Sequence, residues 1–230
     1  PCPMEVMKKV VEEMGVREII IGYGQTEASS WITTTRPDDP LELRVATVGR
    51  PLPRVEMKRI DPLTGQEVSG GGSGEICARG FNMKGYYKMP AATARAIDPE
   101  GWLHTGDLGA MDDQGYLRVT GRLKEVIRKG EETIYPVEVE EVLFSHPKIS
   151  NVQVFGVPDK AMGEEVAAWI KLEEEASATK EEILGYCEER LPGSCIPRYV
   201  KFVREFPTTP LGKVQKFKMK EAAVKEYGLE

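Results

Sequence analysis

Apolar positions in the first stretch of the chain recur with a helical period. Val6, Val10, Val11 and Met14 share one face between residues 4 and 14, and Gly15 is a suitable stop, so this stretch predicts a helix. Glu18-Ile19-Ile20-Ile21 then reads as a short buried strand, followed at once by a loop containing Gly22 and Gly24. From residue 45 to 121 the rhythm shifts to short strands with turn punctuation. Strands are expected at 55–60 and 75–78, a turn at 61–65, and a hairpin of 108–111 and 116–120 closed by Asp112-Asp113-Gln114-Gly115. After Arg122 helices and strands alternate. Pro136 takes the first position of a helix running to His146, and 152–157 and 166–172 read as strands. Thr179 caps a helix to Leu191 with Glu182 completing a capping box, 199–203 is a short strand, and 216–227 is a polar closing helix. The expected fold class is α/β plus α+β. Residues 1–44 form the tail of an α/β unit, 45–122 a β-rich subdomain and 123–230 an α+β C-terminal domain, with no internal repeat.

Composition narrows the function classes. Hydrophobic residues at 40% and charged residues at 30% are an ordinary balance for a folded chain. Lys and Arg number 31 against 37 Asp and Glu, giving a net charge of −6. That balance disfavours a nucleic-acid or anionic-membrane surface. The longest apolar run, Ile19-Ile20-Ile21, is too short to span a bilayer, and charges at Glu5, Lys8, Lys9, Glu12 and Glu13 interrupt any secretory signal. A cytosolic location is expected, and nothing in the pattern sets an oligomeric state. Cys2, Cys77, Cys187 and Cys195 show no CxxC pairing and the histidines are only His104 and His146, so spacing indicates neither a zinc site nor a disulfide scaffold. Cys77 falls in the alternating run 75–79, where a strand core position outweighs a Cys–His catalytic pair.

Several loops carry chemistry that each has a bland alternative. Tyr23-Gly24-Gln25-Thr26-Glu27 follows a strand, the place where open α/β sheets gather ligands. Glu27 is a hard oxygen donor suited to magnesium and Thr26 offers a hydroxyl to phosphate; alternatively the pair is a helix start. Asp107, in His104-Thr105-Gly106-Asp107, offers a carboxylate to both ribose hydroxyls, or is simply an Asp in a turn. Arg122 supplies a second ribose or phosphate contact or a surface salt bridge. Lys213 ends a Pro/Gly-rich segment, 207–213, and is either a solubilising lysine or a mobile charge for a developing oxyanion. The run Gly70-Gly71-Gly72-Ser73-Gly74 lacks the GxxxxGK[ST] order of a phosphate loop and reads as a flexible surface loop.

The order of these stretches, Tyr23–Glu27, then Gly74–Tyr86, Thr105–Asp107, Gly121–Pro136 and Pro207–Lys213, resembles the second half of the adenylate-forming family of acyl-CoA synthetases, luciferases and peptide-synthetase adenylation domains. The family carries a Ser/Thr/Gly-rich phosphate loop with a lysine upstream of the Tyr-Gly-x-Thr-Glu stretch. No such segment precedes Tyr23, so the chain is expected to be a fragment, inactive alone, of a large N-terminal domain followed by a small mobile C-terminal domain. The resemblance implies ATP or AMP, Mg²⁺ and coenzyme A as ligands. It places Tyr23 at adenine, Gly24 and Gly130 among the cofactor-binding residues, Thr26 at phosphate, Glu27 at Mg²⁺, Asp107 and Arg122 at the ribose, Lys124 at the hinge and Lys213 as the adenylation lysine. It further implies two half-reactions, acid plus ATP to acyl-adenylate and pyrophosphate, then acyl-adenylate plus CoA to acyl-CoA and AMP, with rotation about the hinge between them.

One departure concerns the loop that approaches the CoA thiol in the family. Gly130-Glu131-Glu132-Thr133 stands where Gly-Gly-Glu-Asn is common, so Glu131 adds bulk and negative charge beside Gly130. Lys216, Lys218 and Lys220 make either a basic strip for CoA phosphates or a solvated helix face. The Gly-Glu-Ile, Lys-Gly-Tyr-Tyr and Ile-Pro-Arg-Tyr-Val segments look most like the medium- to long-chain fatty-acyl branch. The alternatives are an adenylation module that loads a carrier protein, or a nucleotide- or acyl-binding module without turnover.

Overall fold

The computed structural model describes residues 4–210 and 212–229. Cys2, Leu211 and the side chain of Val6 lie outside what is described. The chain divides into two compact units, Pro1–Leu123 and Lys124–Glu230.

The first unit opens with α1 (Met4–Glu12), whose Met7 is buried. The helix stops short of Met14, which is exposed. The expected strand at 18–21 does not form: β1 is only Gly22–Tyr23, and Ile20 is exposed. A run of three isoleucines becomes a buried strand only where neighbours cover both faces. Among the described residues Ile21 hydrogen-bonds only with Thr35, through Ile21 N–H to Thr35 Oγ1 at 2.8 Å and Thr35 N–H to Ile21 O at 2.9 Å. β2 (Thr33–Thr34) pairs antiparallel with β1 and with β3 (Arg50–Pro51), and α2 (Leu41–Ala46) lies between them in sequence.

An antiparallel sheet follows in the order β4 (Glu56–Ile60), β5 (Gly74–Arg79), β6 (Leu103–Met111) and β7 (Leu117–Arg122), with α3 (Pro90–Ala96) between β5 and β6. Helix α3 escaped the sequence reading although Pro90 opens it at a favourable first position. Strand β6 starts five residues before the expected hairpin arm, so Asp107 sits in a strand opposite Arg122 and not in a turn. The register slips between Glu75 and Cys77 where they face β6, and Gly106 takes φ +70 there, a value most side chains resist. The glycine run at 70–72 is an exposed loop but not a free one. The guanidinium of buried Arg59 on β4 donates to the carbonyls of Val68, Gly70 and Gly72.

The second unit is a five-stranded sheet covered by helices on both faces. A small hairpin, β8 (Ile127–Lys129) and β9 (Glu132–Ile134), precedes α4 (Pro136–Phe144). Then come β10 (Ile149–Asp159), β11 (Gly163–Leu172), α5 (Lys180–Glu188), β12 (Tyr199–Phe202) and α6 (Lys216–Tyr227). The strand order is β10-β11-β8-β9, and β12 pairs parallel with β11. Alternation explains the core: Val152, Val154, Val166, Ala168 and Ile170 pack with Leu143 of α4 and Ile183 of α5. The intervening Phe155, Val157, Ala167 and Trp169 pack with Met219 and Ala223 of α6. The closing helix therefore has a narrow apolar stripe, which its many lysines mask in the sequence.

Two caps differ from expectation. Helix α4 ends at Phe144, and His146 folds inward with its Nδ1 accepting the N–H of Lys148 at 3.2 Å. Thr179 does cap α5 by accepting the Glu182 N–H at 3.2 Å. The reciprocal half of the capping box is replaced, because the Glu182 carboxylate pairs with Lys148 at 2.7 Å, an ionic partner a backbone N–H cannot match.

Candidate functional site

The turn after β1 is closed on itself. Ile32 N–H bonds Tyr23 O at 2.7 Å and Ser30 N–H bonds Gln25 O at 3.1 Å, around a single 3₁₀ turn at Thr26–Ala28. A Cβ on Gly24 would lie 1.9 Å from Ser30 O, so only glycine fits this closure. Ser29 and Ser30 carry φ +55 and +96, costly for residues with a Cβ. Glu27 Oε1 accepts the Tyr86 hydroxyl at 2.8 Å, and this bond raises the Tyr86 pKa above its ordinary value. Among the described residues Glu27 Oε2 and the Thr26 hydroxyl make no hydrogen bond, so both are free to meet a ligand, and Thr26 lines a cleft with Gly24, Gln25 and Trp31.

Asp107 is the centre of a second cluster on the same unit. Its Oδ2 accepts the Tyr23 hydroxyl at 2.9 Å and its Oδ1 pairs with Arg122 Nε at 3.0 Å. Thr105 Oγ1 accepts the Asp107 N–H at 3.1 Å, and Gly106 N–H donates to Glu75 Oε1 at 3.1 Å, so the backbone that presents the carboxylate is fixed. Burial, then the neighbouring Asp107 charge, pushes the Tyr23 phenol far above its ordinary value, so it is a hydrogen-bond donor at any physiological pH. Each Asp107 oxygen retains a further lone pair for hydroxyl donors. Tyr23, Asp107 and Arg122 are thus brought together, and Thr26 and Glu27 follow Tyr23 in one continuous turn.

The remaining expected residues lie in the second unit. Lys124 is exposed in a 3₁₀ turn, Leu123–Glu125. Gly130 begins a two-residue turn between Lys129 and Glu132, with φ +61 and its N–H on Met162 O at 2.7 Å. Glu131, the departing residue, is exposed at that tip. Lys213 is exposed on a loop closed by Thr209 N–H to Lys213 O at 2.8 Å and Lys213 N–H to Thr209 Oγ1 at 3.1 Å, and its ammonium makes no ion pair with a described residue. The basic strip is not free. Lys216 pairs with Glu140 at 2.8 Å and Lys220 with Glu164 at 2.8 Å, leaving Lys218 as the member without such a pair among the described residues.

Tyr86 and Trp31 were missed as site residues. Tyr86 lies in the Lys-Gly-Tyr-Tyr stretch, where an aromatic hydroxyl carries no local sign of its carboxylate partner 59 positions away. Cys77, buried in β5, is no nucleophile: burial beside Glu75 pushes its thiol up to about 12.

Residues 1–87 match the AMP-binding enzyme family and residues 138–213 match the AMP-binding enzyme C-terminal domain family. With one match in each compact unit, the chain belongs to the AMP-binding enzyme family. It is 51% identical, over all 230 residues, to the Bacillus subtilis protein YngI, named as an acyl-CoA synthetase, and spans 42% of that protein's length. It is 43% identical over the same span to the mitochondrial medium-chain acyl-CoA ligase ACSF2 of Danio rerio, covering 38% of it. The solved structure of o-succinylbenzoate CoA synthetase MenE of Bacillus subtilis with ATP and magnesium ion superposes with a TM-score of 0.83 at 33% identity, over 96% of this chain and 44% of that one. The chain therefore spans about two fifths of the length of the curated relatives it matches. Among the described residues no helix is long and apolar enough to cross a membrane.

Proposed function

We propose that these residues belong to an AMP-forming acid–thiol ligase that converts a carboxylic acid, of the medium-chain fatty type, into its CoA thioester through an acyl-adenylate. The observation that carries the reading is the Tyr23–Asp107–Arg122 cluster beside a turn whose Thr26 hydroxyl and Glu27 oxygen have no partner among the described residues. The names of YngI and ACSF2 support acyl-CoA formation, and that of ACSF2 supports the medium-chain class.

In this reading Asp107 accepts the ribose hydroxyls, Arg122 holds Asp107 and adds positive charge at the ribose, and the Tyr23 ring and Gly24 backbone line the adenine. Thr26 donates to a phosphate oxygen. Glu27 fits Mg²⁺ because one hard oxygen is spare while Tyr86 fixes the other, and the ion, when bound, offsets the repulsion between carboxylate and triphosphate. An oxygen of the acid attacks the α-phosphorus and pyrophosphate leaves, with Lys213 stabilising the charge that develops. The CoA thiol then attacks the acyl carbonyl and AMP leaves. Gly130 serves that thiol step and Lys124 is the pivot. Exposed Glu131 at the tip favours a second reading in which the acceptor is a carrier protein's thiol. Domain boundaries are proposed after residues 44 and 122, and the cytosol as compartment, in keeping with the free thiols of Cys77, Cys187 and Cys195.

The test uses a protein of the relatives' length that carries these residues. Lys213→Ala is expected to slow acid-dependent ATP–pyrophosphate exchange by roughly 10²–10³-fold, the scale for removing one positioned electrostatic group. Thioester formation from supplied acyl-adenylate should survive. Equal losses in both half-reactions would remove the assigned role, and no exchange with any fatty acid in the unsubstituted protein would favour a non-catalytic module.

A further inference from the structure

We propose that Glu75, Cys77 and His104 form a binding site for a thiophilic divalent cation of the zinc type, separate from the Mg²⁺ position at Glu27. The three side chains come from facing strands, and register, not sequence spacing, unites them: Cys77 is the β-ladder partner of His104. Among the described residues they are the group of three potential ligands whose donor atoms all lie within 4.8 Å of one another. His104 Nδ1 is 3.0 Å from Glu75 Oε2 and 3.7 Å from Cys77 Sγ. A tetrahedral cation with bonds of about 2.0–2.3 Å needs its ligands about 3.3–3.8 Å apart, so the two His104 distances change by only a few tenths of an ångström, and the Glu75–Cys77 separation, within 4.8 Å, closes by about 1 Å at most.

Two of the three ligands are also held from behind, as metal-binding side chains are. The far nitrogen of His104, Nε2, faces Asp98 Oδ2 at 3.7 Å, and Asp98 is itself fixed by accepting the N–H groups of Glu100 at 2.9 Å and Trp102 at 2.8 Å. The second oxygen of Glu75 accepts the Gly106 N–H. Cys77 is fully buried, whereas His104 is partly exposed and gives the route from solvent. Binding displaces one proton, from Cys77 Sγ to solvent. The imidazole then binds through Nδ1 and carries its proton on Nε2, opposite Asp98. Sulfur, nitrogen and carboxylate oxygen together select a zinc-like cation over magnesium or calcium, and water completes the fourth position. The bound ion would bolt β5 to β6 three residues ahead of Asp107.

The test adds Co²⁺ to the metal-free 230-residue chain carrying Cys2→Ser, which removes the terminal thiol. One equivalent should produce a sulfur-to-cobalt charge-transfer band and tetrahedral visible bands, and Zn²⁺ should erase both. Cys77→Ala should abolish the charge-transfer band with the far-ultraviolet circular dichroism unchanged, and Asp98→Asn should weaken binding by roughly 10–100-fold. X-ray absorption of the zinc-loaded chain, which needs no Cys77 variant, should show one sulfur at about 2.3 Å with imidazole scattering. A sulfur-free coordination shell, a band that survives Cys77→Ala, or no uptake of the first equivalent overturns the proposal.

Discussion

Glu140 is the most exacting position at which to test the packing of the second unit. Its Oε1 accepts the Val154 N–H of β10 at 2.8 Å and the Lys216 ammonium of α6 at 2.8 Å, so one oxygen of α4 ties a strand and a helix together. Lys216 also reaches Val154 O at 3.0 Å and Glu125 at 3.3 Å. Glu140→Ala orphans the Val154 N–H, a loss of about 1–3 kcal/mol, and strips Lys216 of its main partner. Breaking a buried pair costs about 3–5 kcal/mol. The Glu140 and Lys216 side chains are 20% and 19% exposed, and Lys216 keeps Val154 O and Glu125, so the full sum does not apply. The expected loss is about 2–4 kcal/mol. Glu140→Gln leaves an acceptor for Val154 and should lose about 1–2 kcal/mol. Fluorotryptophan NMR during urea denaturation follows this unit through Trp169 apart from Trp31 and Trp102, and a double-mutant cycle with Lys216→Met isolates the pair. The reasoning fails if Glu140→Ala stays within about 0.5 kcal/mol of the parent, or if Glu140→Gln is as damaging as Ala.

Two further expectations follow from the hinge and from His146. Lys124→Pro fixes φ and removes an N–H at the proposed pivot, so in a relative-length protein one half-reaction should fail far more than the other; both steps intact would place the pivot elsewhere. Burial, with help from Lys148 and Arg190 and against the pull of Glu182, lowers the His146 pKa below 6.5. The unfolded chain therefore takes up a proton first, and the second unit should keep this contribution above pH 6.5 and lose it as pH falls through the folded value. Urea midpoints at pH 7.5, 6.5 and 5.5 should fall in that order and flatten in His146→Gln; a midpoint that rises on acidification contradicts the assignment.

Much of the second unit was legible because its sheet is covered on both faces and its strands are predominantly apolar, as at 152–157 and 166–172. Helix α6 was readable in extent from 216 to 227, but its buried Met219 and Ala223 were not, since two apolar positions four apart hardly register against its lysines. Local reading misjudged Ile19–Ile21, where an apolar run marked a strand that does not form, and Asp107, where Gly106 looked like a turn but serves an irregularity inside a strand. The site residues themselves stood out only through the order of their motifs. Their partners did not: Tyr86 on Glu27, Tyr23 on Asp107 and His104 on Cys77 are products of register and of chain closure over dozens of residues.

The glycine loop at 70–72 has no side chains of its own with which to hold a shape, and it borrows one. Because Arg59 supplies the bonds from within β4, the loop's persistence is tied to the lifetime of the β4–β5 ladder and not to its own flexible backbone. Opening that ladder and releasing the loop become one cooperative event, so a segment that composition marks as the loosest in the unit takes on the opening free energy of a core strand.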